Sequence, residues 1–233
     1  MKTLAKLLRT GKRLGRDTSG LALLEFAFSL PILLVLSLTG AELTNYIITR
    51  MRVSQIALQL ADNAARIGSG GQLTAKTISE TDINDLLTGA GLQAGELNLY
   101  TYGRVLISSL EPDPNNSGKY RITWQRCRGT LTSHASTWGT YGVTTGTNRG
   151  VNMDGMGPTG RQSIAPVGGG TMFVEVYYEY QPLVKSSLAP SANMTEYASM
   201  MVRDARDYTR IYNSENAAIS SCTSPQVSGG TGS

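Results

Sequence analysis

From Gly20 to Ala41 the chain is an unbroken apolar run whose only ionisable side chain is Glu25. Leu21 to Ala41 is 21 residues. As helix that is about 31 Å, enough to cross a bilayer core of about 30 Å without a second segment. A carboxylate near the centre of such a span costs about 2.5 to 3.5 kcal/mol, so one retained near its start calls for a partner. Glu25 lies four residues after Leu21. If the chain is cut after Gly20, the new amino group of Leu21 and the Glu25 carboxylate become opposite charges one helical turn apart, on the same or neighbouring subunits. The span is then an assembly device as well as an anchor.

A basic leader, Gly20, then an apolar helix with Glu25 fifth and the aromatic Phe26 sixth after the cut resembles the processing site of the type IV pilin superfamily. Gly20 through Pro31, with Leu24-Glu-Phe-Ala27, Leu30-Pro31 and a leucine-rich continuation, narrows the likeness to the TadE/TadF group, pseudopilins of the tight-adherence (Tad, or Flp) pilus. The detailed signal covers about the first 68 residues, with weaker echoes at Val174 to Leu183 and Met200 to Arg203. The resemblance implies a minor pilin cut between Gly20 and Leu21 by an inner-membrane prepilin peptidase. Glu25 and Phe26 would then serve assembly. It further implies as partners the major pilin, other minor pilins, the inner-membrane assembly platform and membrane lipid, with no catalysis and no cofactor. Leu21 stands where many type IV pilins begin with phenylalanine, and the leader is long. The competing expectation is an uncleaved, single-pass, membrane-anchored binding or sensory module. An extracellular enzyme ranks third.

Of 21 basic and 17 acidic residues, Lys2, Lys6, Arg9, Lys12, Arg13 and Arg16 precede the span against Asp17 alone, while the remainder from Leu43 onward is nearly balanced. The pI of 9.1 therefore reflects the leader. The positive-inside rule keeps residues 1–20 cytoplasmic and sends the rest into the periplasm, with no basic patch left for nucleic acid. A secretory signal peptide is the rival, with Thr39 and Ala41 as a small-residue cleavage site, although its apolar core is usually only about 7 to 15 residues. Cys127 and Cys222 are the only cysteines, both beyond the span. In an oxidising compartment they are a disulfide candidate; two unpaired thiols are the alternative.

The fold class expected is α+β: a long N-terminal transmembrane and amphipathic helix packed on a small antiparallel sheet, pilin-like, with one long Gly/Thr/Ser-rich loop. Five segments follow: a cytoplasmic leader 1–20, a transmembrane helix 21–41, an amphipathic stalk 42–67, a periplasmic α+β domain 68–212 and a flexible tail 213–233. The stalk rests on Leu43, Ile47, Met51, Leu58, Ala61 and Ala65 recurring at steps of three and four, ended by Gly68. Pro31 should kink the membrane half. Ser79-Glu-Thr-Asp82 reads as a cap for a short helix with Ile83, Leu86 and Leu87 inward and Gly89 near its end. Leu97 to Leu110 and Tyr120 to Cys127 read as strands joined by the turn-rich Glu111–Gly118, with Tyr120, Ile122 and Trp124 on one face. Residues 129–170 lack periodicity, and loops of that length are usually functional or disordered. Thr171 to Leu183 is the clearest strand. Glu196 to Tyr212 fits either a helix or a strand, the resemblance favouring a strand through Arg203. The tail is mobile unless Cys222 ties it down.

Residues that carry chemistry are few. His134 is the single histidine and reads as a surface residue in the irregular loop. Gly168 to Gly170 lacks the ending of a phosphate loop, and Asp113 to Gly118 lacks the terminal glutamate of a calcium loop. Glu175 and Glu179 share a strand face about 13 Å apart, too far for paired carboxylates, and read as a solvated edge. Tyr177, Tyr178 and Tyr180 read as core, and Trp138 and Tyr141 as interface candidates. Catalytic, cofactor and metal sites are therefore expected to be none.

Overall fold

The computed structural model describes residues 19–71, 74–184, 190 and 193–222. The leader before Ser19 and the tail after Cys222 lie outside the described residues, so the readings placed on them are not addressed. Two compact units divide the chain, Met1–Asn45 with Pro182–Pro190 and Tyr46–Gln181 with Ser191–Ser233. Helix α1, Ser19–Arg66, begins in the first and ends in the second, running without interruption through Pro31. In the first unit no residue from Gly20 to Ala41 is buried, and this is one helix long and apolar enough to cross a membrane.

The second unit orders its elements as the end of α1, then α2 (Glu80–Ala94), a 3-10 turn (Gly95–Leu97), the single-turn α3 (Leu99–Tyr102), β1 (Gly103–Pro112), β2 (Tyr120–Arg128), β3 (Thr171–Glu179) and β4 (Asn193–Met201). The strands form one antiparallel sheet in the order β2-β1-β3-β4. The architecture is α+β, as the periodicities predict.

One face of the sheet takes the helices. Val53, Ile56, Ala57, Leu60, Ala61 and Ala64 of α1 and Ile83, Leu87 and Ala90 of α2 share a core with Val105 and Ile107 of β1 and Met172, Val174 and Val176 of β3. Alanines along the α1 stripe let helix backbone approach the sheet closely, and burying each larger aliphatic is worth about 1.5 to 3 kcal/mol. The opposite face is covered by residues 129–170, where Leu110, Ile122, Met153, Met156 and Phe173 form a second cluster, flanked by Trp138 and Tyr197. Strand β1 is therefore buried on both faces. The long loop is neither strand nor open loop; it is an irregular outer layer fastened by short bridges such as Tyr120 with Met153 and Met156 with Ser163.

Several expectations shift. The first strand starts at Gly103, not Leu97, because Asn98 takes a left-handed conformation (φ 47°) that turns Leu99–Tyr102 into a helical turn with Leu99 buried. Helix α2 has the expected capping box, Ser79 with Asp82, but runs past Gly89 to a cap at Gly95. A register shift between Ser109 and Leu110 pairs them with Trp124 and Ile122, so Ile122 faces the outer layer while Trp124 packs against the helix-side core. That bulge breaks the single Tyr120–Ile122–Trp124 face. Strand β3 stops at Glu179, and of the ambiguous segment from Glu196 to Tyr212 only the part to Met201 is strand, in β4, which begins earlier at Asn193 and ends short of Arg203; the rest is irregular.

Candidate functional site

The N-terminal module is the first candidate. Leu21, Glu25 and Phe26 all lie on the exposed part of α1, with Leu21 61% and Phe26 59% accessible. Leu21 and Glu25 are one turn apart on one helical face. Glu25 has no hydrogen bond or ion pair among the described residues. The Gly20–Leu21 peptide bond falls in the first turn of α1, and no atom outside its own chain neighbourhood lies within 4 Å of where a Gly20 side chain would start. The bond is helical, so cutting there would require the first turn of α1 to unwind.

The second candidate is the cysteine pair. Cys127 on β2 is bonded to Cys222, with S–S 2.05 Å and Cα–Cα 4.7 Å. The bond is reinforced by its surroundings. Cys127 N–H donates to Ser220 O (2.8 Å), Asn84 Nδ2 donates to Ala218 O (2.7 Å), and Ser220 Oγ donates to Asn84 Oδ1 (2.6 Å). Residues 213–222, left loose by composition unless Cys222 tied them, are thus a strap joining β2 to α2.

A third cluster was missed by sequence reading. Glu175, read as part of a solvated edge, is 1% exposed. Its carboxylate accepts from Ser136 Oγ (2.8 Å), Thr137 N–H (3.0 Å to each oxygen) and Thr137 Oγ1 (2.6 Å), and His134 Nε2 lies 3.4 Å away. His134 is not a free surface group, since its ring stacks on Tyr177 at 3.9 Å and 12°. Arg104 of β1, 2% exposed, has its guanidinium on the Leu131, Thr132, His134 and Cys222 carbonyls. Burial pulls its pKa down. Trp138, proposed as an interface residue, is half-buried with its ring against Phe173 and Tyr197, whereas Tyr141 remains exposed. Tyr178 and Tyr180 are core residues.

Chemically this cluster is a clamp. Ser136 and His134 both address the carboxylate instead of each other, so no hydroxyl is activated by a base. Its charge is balanced by donors that all come from residues 134–137, which fastens the outer layer to β3. The signal that would reveal it is the coincidence of a strand glutamate with a Ser-Thr pair about 40 residues earlier, and no local pattern encodes that meeting. Among the described residues no group of three His, Cys, Asp or Glu is placed to hold a metal. No family model, curated protein or solved structure matches the chain.

Proposed function

We propose that this chain is the precursor of a minor pilin, or pseudopilin, of the TadE/TadF group, cut between Gly20 and Leu21 and acting in assembly of a Tad pilus or as a minor subunit of it. The observation that carries the reading is the bare apolar helix with Glu25 one turn from Leu21 and no partner among the described residues. A cut at Gly20 supplies the missing cation, and transfer from lipid to neighbouring apolar stalks removes the carboxylate from water only when that cation is at hand. The prepilin peptidase, the major and other minor pilins and the membrane assembly platform are the partners this reading requires. The role is structural, with the leader cytoplasmic and the second unit periplasmic or in the filament.

Intact-mass spectrometry of membrane-extracted protein tests it. The expected species begins at Leu21. A population beginning at Met1 alone replaces this reading with an uncleaved anchored module, and one beginning just after Ala41 replaces it with a secreted protein.

A further inference from the structure

The outer layer contains a groove of about 590 Å³ on the side of the sheet away from the helices, floored by Trp138 and Met153 and rimmed by Arg149, Asp154 and Gln162. That volume is within the range of small-ligand sites. Its aromatic floor is fixed. Trp138 meets Tyr197 at 4.7 Å and 60° and Phe173 at 5.7 Å and 73°, near-perpendicular contacts that hold the indole without a parallel ring stacked on it.

Elsewhere in the layer, polar side chains such as Ser136, Asn148 and Gln125 are engaged with protein partners. In the groove Thr137 is bonded to Glu175 and Asp154 is paired with Lys119, while other polar groups make no such bond. Among the described residues, neither the Trp138 indole N–H, the Gln162 amide nor the Arg149 guanidinium is used in a hydrogen bond. Asp154 is paired with Lys119 and lies within electrostatic reach of Arg149. An anionic ligand would therefore meet a carboxylate beside the cation, and a cationic one would find that carboxylate already matched. Gly155 and Gly157, at φ 143° and 121°, bring bare backbone to the wall.

We infer that this groove binds an uncharged oligosaccharide, its apolar ring face on Trp138 and its hydroxyls on Gln162, Arg149 and Asp154. A sugar ring presents a flat C–H face together with a rim of hydroxyls that both donate and accept, the combination the groove offers. Glycoside hydrolysis takes a pair of carboxylates, and the residues lining the groove include one, Asp154. The site is one for retention, not turnover. This inference does not rest on cleavage at Gly20 or on the pilin reading.

The test uses the full chain in a zwitterionic detergent without sugar headgroups. Only two tryptophans occur, so the ¹⁵N–¹H spectrum carries two indole signals, with Trp124 as an internal control. Cellotriose, maltotriose and chitotriose are titrated separately, with sialyllactose as an acidic arm. At least one neutral trisaccharide should shift the Trp138 signal saturably and leave Trp124 in place. Asp154→Ala and Gln162→Ala, both on exposed residues, should each weaken that binding by about fivefold to tenfold, the worth of one or two hydrogen bonds, without changing thermal stability. The inference is overturned if no neutral sugar moves Trp138, if both indoles move together, if only sialyllactose acts, or if the rim variants bind as the parent does.

Discussion

Truncating Glu175 to alanine leaves the Ser136 hydroxyl and the Thr137 N–H and hydroxyl without their acceptor inside the protein. Hydrogen bonds to a charged group are worth about 1.5 to 3 kcal/mol, and unmatched buried donors add to the cost. Glu175→Ala should lower unfolding stability by about 2 to 4 kcal/mol in a urea titration of the detergent-solubilised chain, and Glu175→Gln by less. A loss below about 0.5 kcal/mol, typical of a surface change, would refute the clamp. Asp207 gives a pH-dependent counterpart. Its carboxylate accepts from Thr209 Oγ1, Tyr212 hydroxyl and Thr209 N–H, which together hold its pKa down to about 2 from an ordinary 3.8. A depressed carboxylate stabilises the fold above its ordinary pKa, and that contribution disappears as pH falls through about 2. The carboxyl carbon shift of Asp207 should report that midpoint; one near 3.8 would mean the turn is not formed. Neither role was legible in the chain. Alternation along Thr171–Glu179 tells only which side chains share a face, not that residues 129–170 will cover it.

Helix and strand signals were most readable where local chemistry decides the outcome. The Ser79–Asp82 cap, the end of α1 beside Gly68 and the alternation of β3 all rest on neighbours in the sequence. They were least readable where a distant element intervenes. Tyr100, at the buried turn before β1, sends its hydroxyl to Leu87 O on α2, and the bulge at Ser109 is a matter of pairing, not composition. Gly129 marks another such meeting. It has φ 132°, and a side chain there would begin 2.3 Å from Gly103 O at the start of β1. Gly129→Ala should therefore prevent the outer layer from closing over β1, seen as loss of protection from amide exchange in Thr130–His134; retention of native exchange would show that the crossing can widen. Cys127→Ser with Cys222→Ser removes a link spanning 95 residues and should cost about 4 to 5 kcal/mol on the chain-entropy account, measured as a lower urea midpoint. An unchanged midpoint would show that the strap's hydrogen bonds suffice alone.

For the assembled protein, the two units should respond separately to mutation. Glu25 is exposed on the part of α1 that belongs to the first unit, so Glu25→Ala should leave the thermal unfolding of the second unit unchanged and, on the proposed pilin reading, reduce the number of pili per cell. Normal pilus counts in cells carrying Glu25→Ala would remove the assembly role assigned to this carboxylate. The broad α+β plan and the apolar helix were legible because hydropathy and period are properties of contiguous residues. The outer layer was not, since glycine, serine and threonine acquire a fold there only through what they cover.

The bond between Cys127 and Cys222 also imposes a timetable. On the proposed topology the leader stays inside and the chain beyond the span crosses in order, so Cys127 meets oxidants before its mate emerges and must wait through the 95 residues that separate them. A product that stops short of Cys222 keeps a lone sulfur at position 127. Arrival of the segment that carries Cys222 is thereby written into the oxidation state of Cys127.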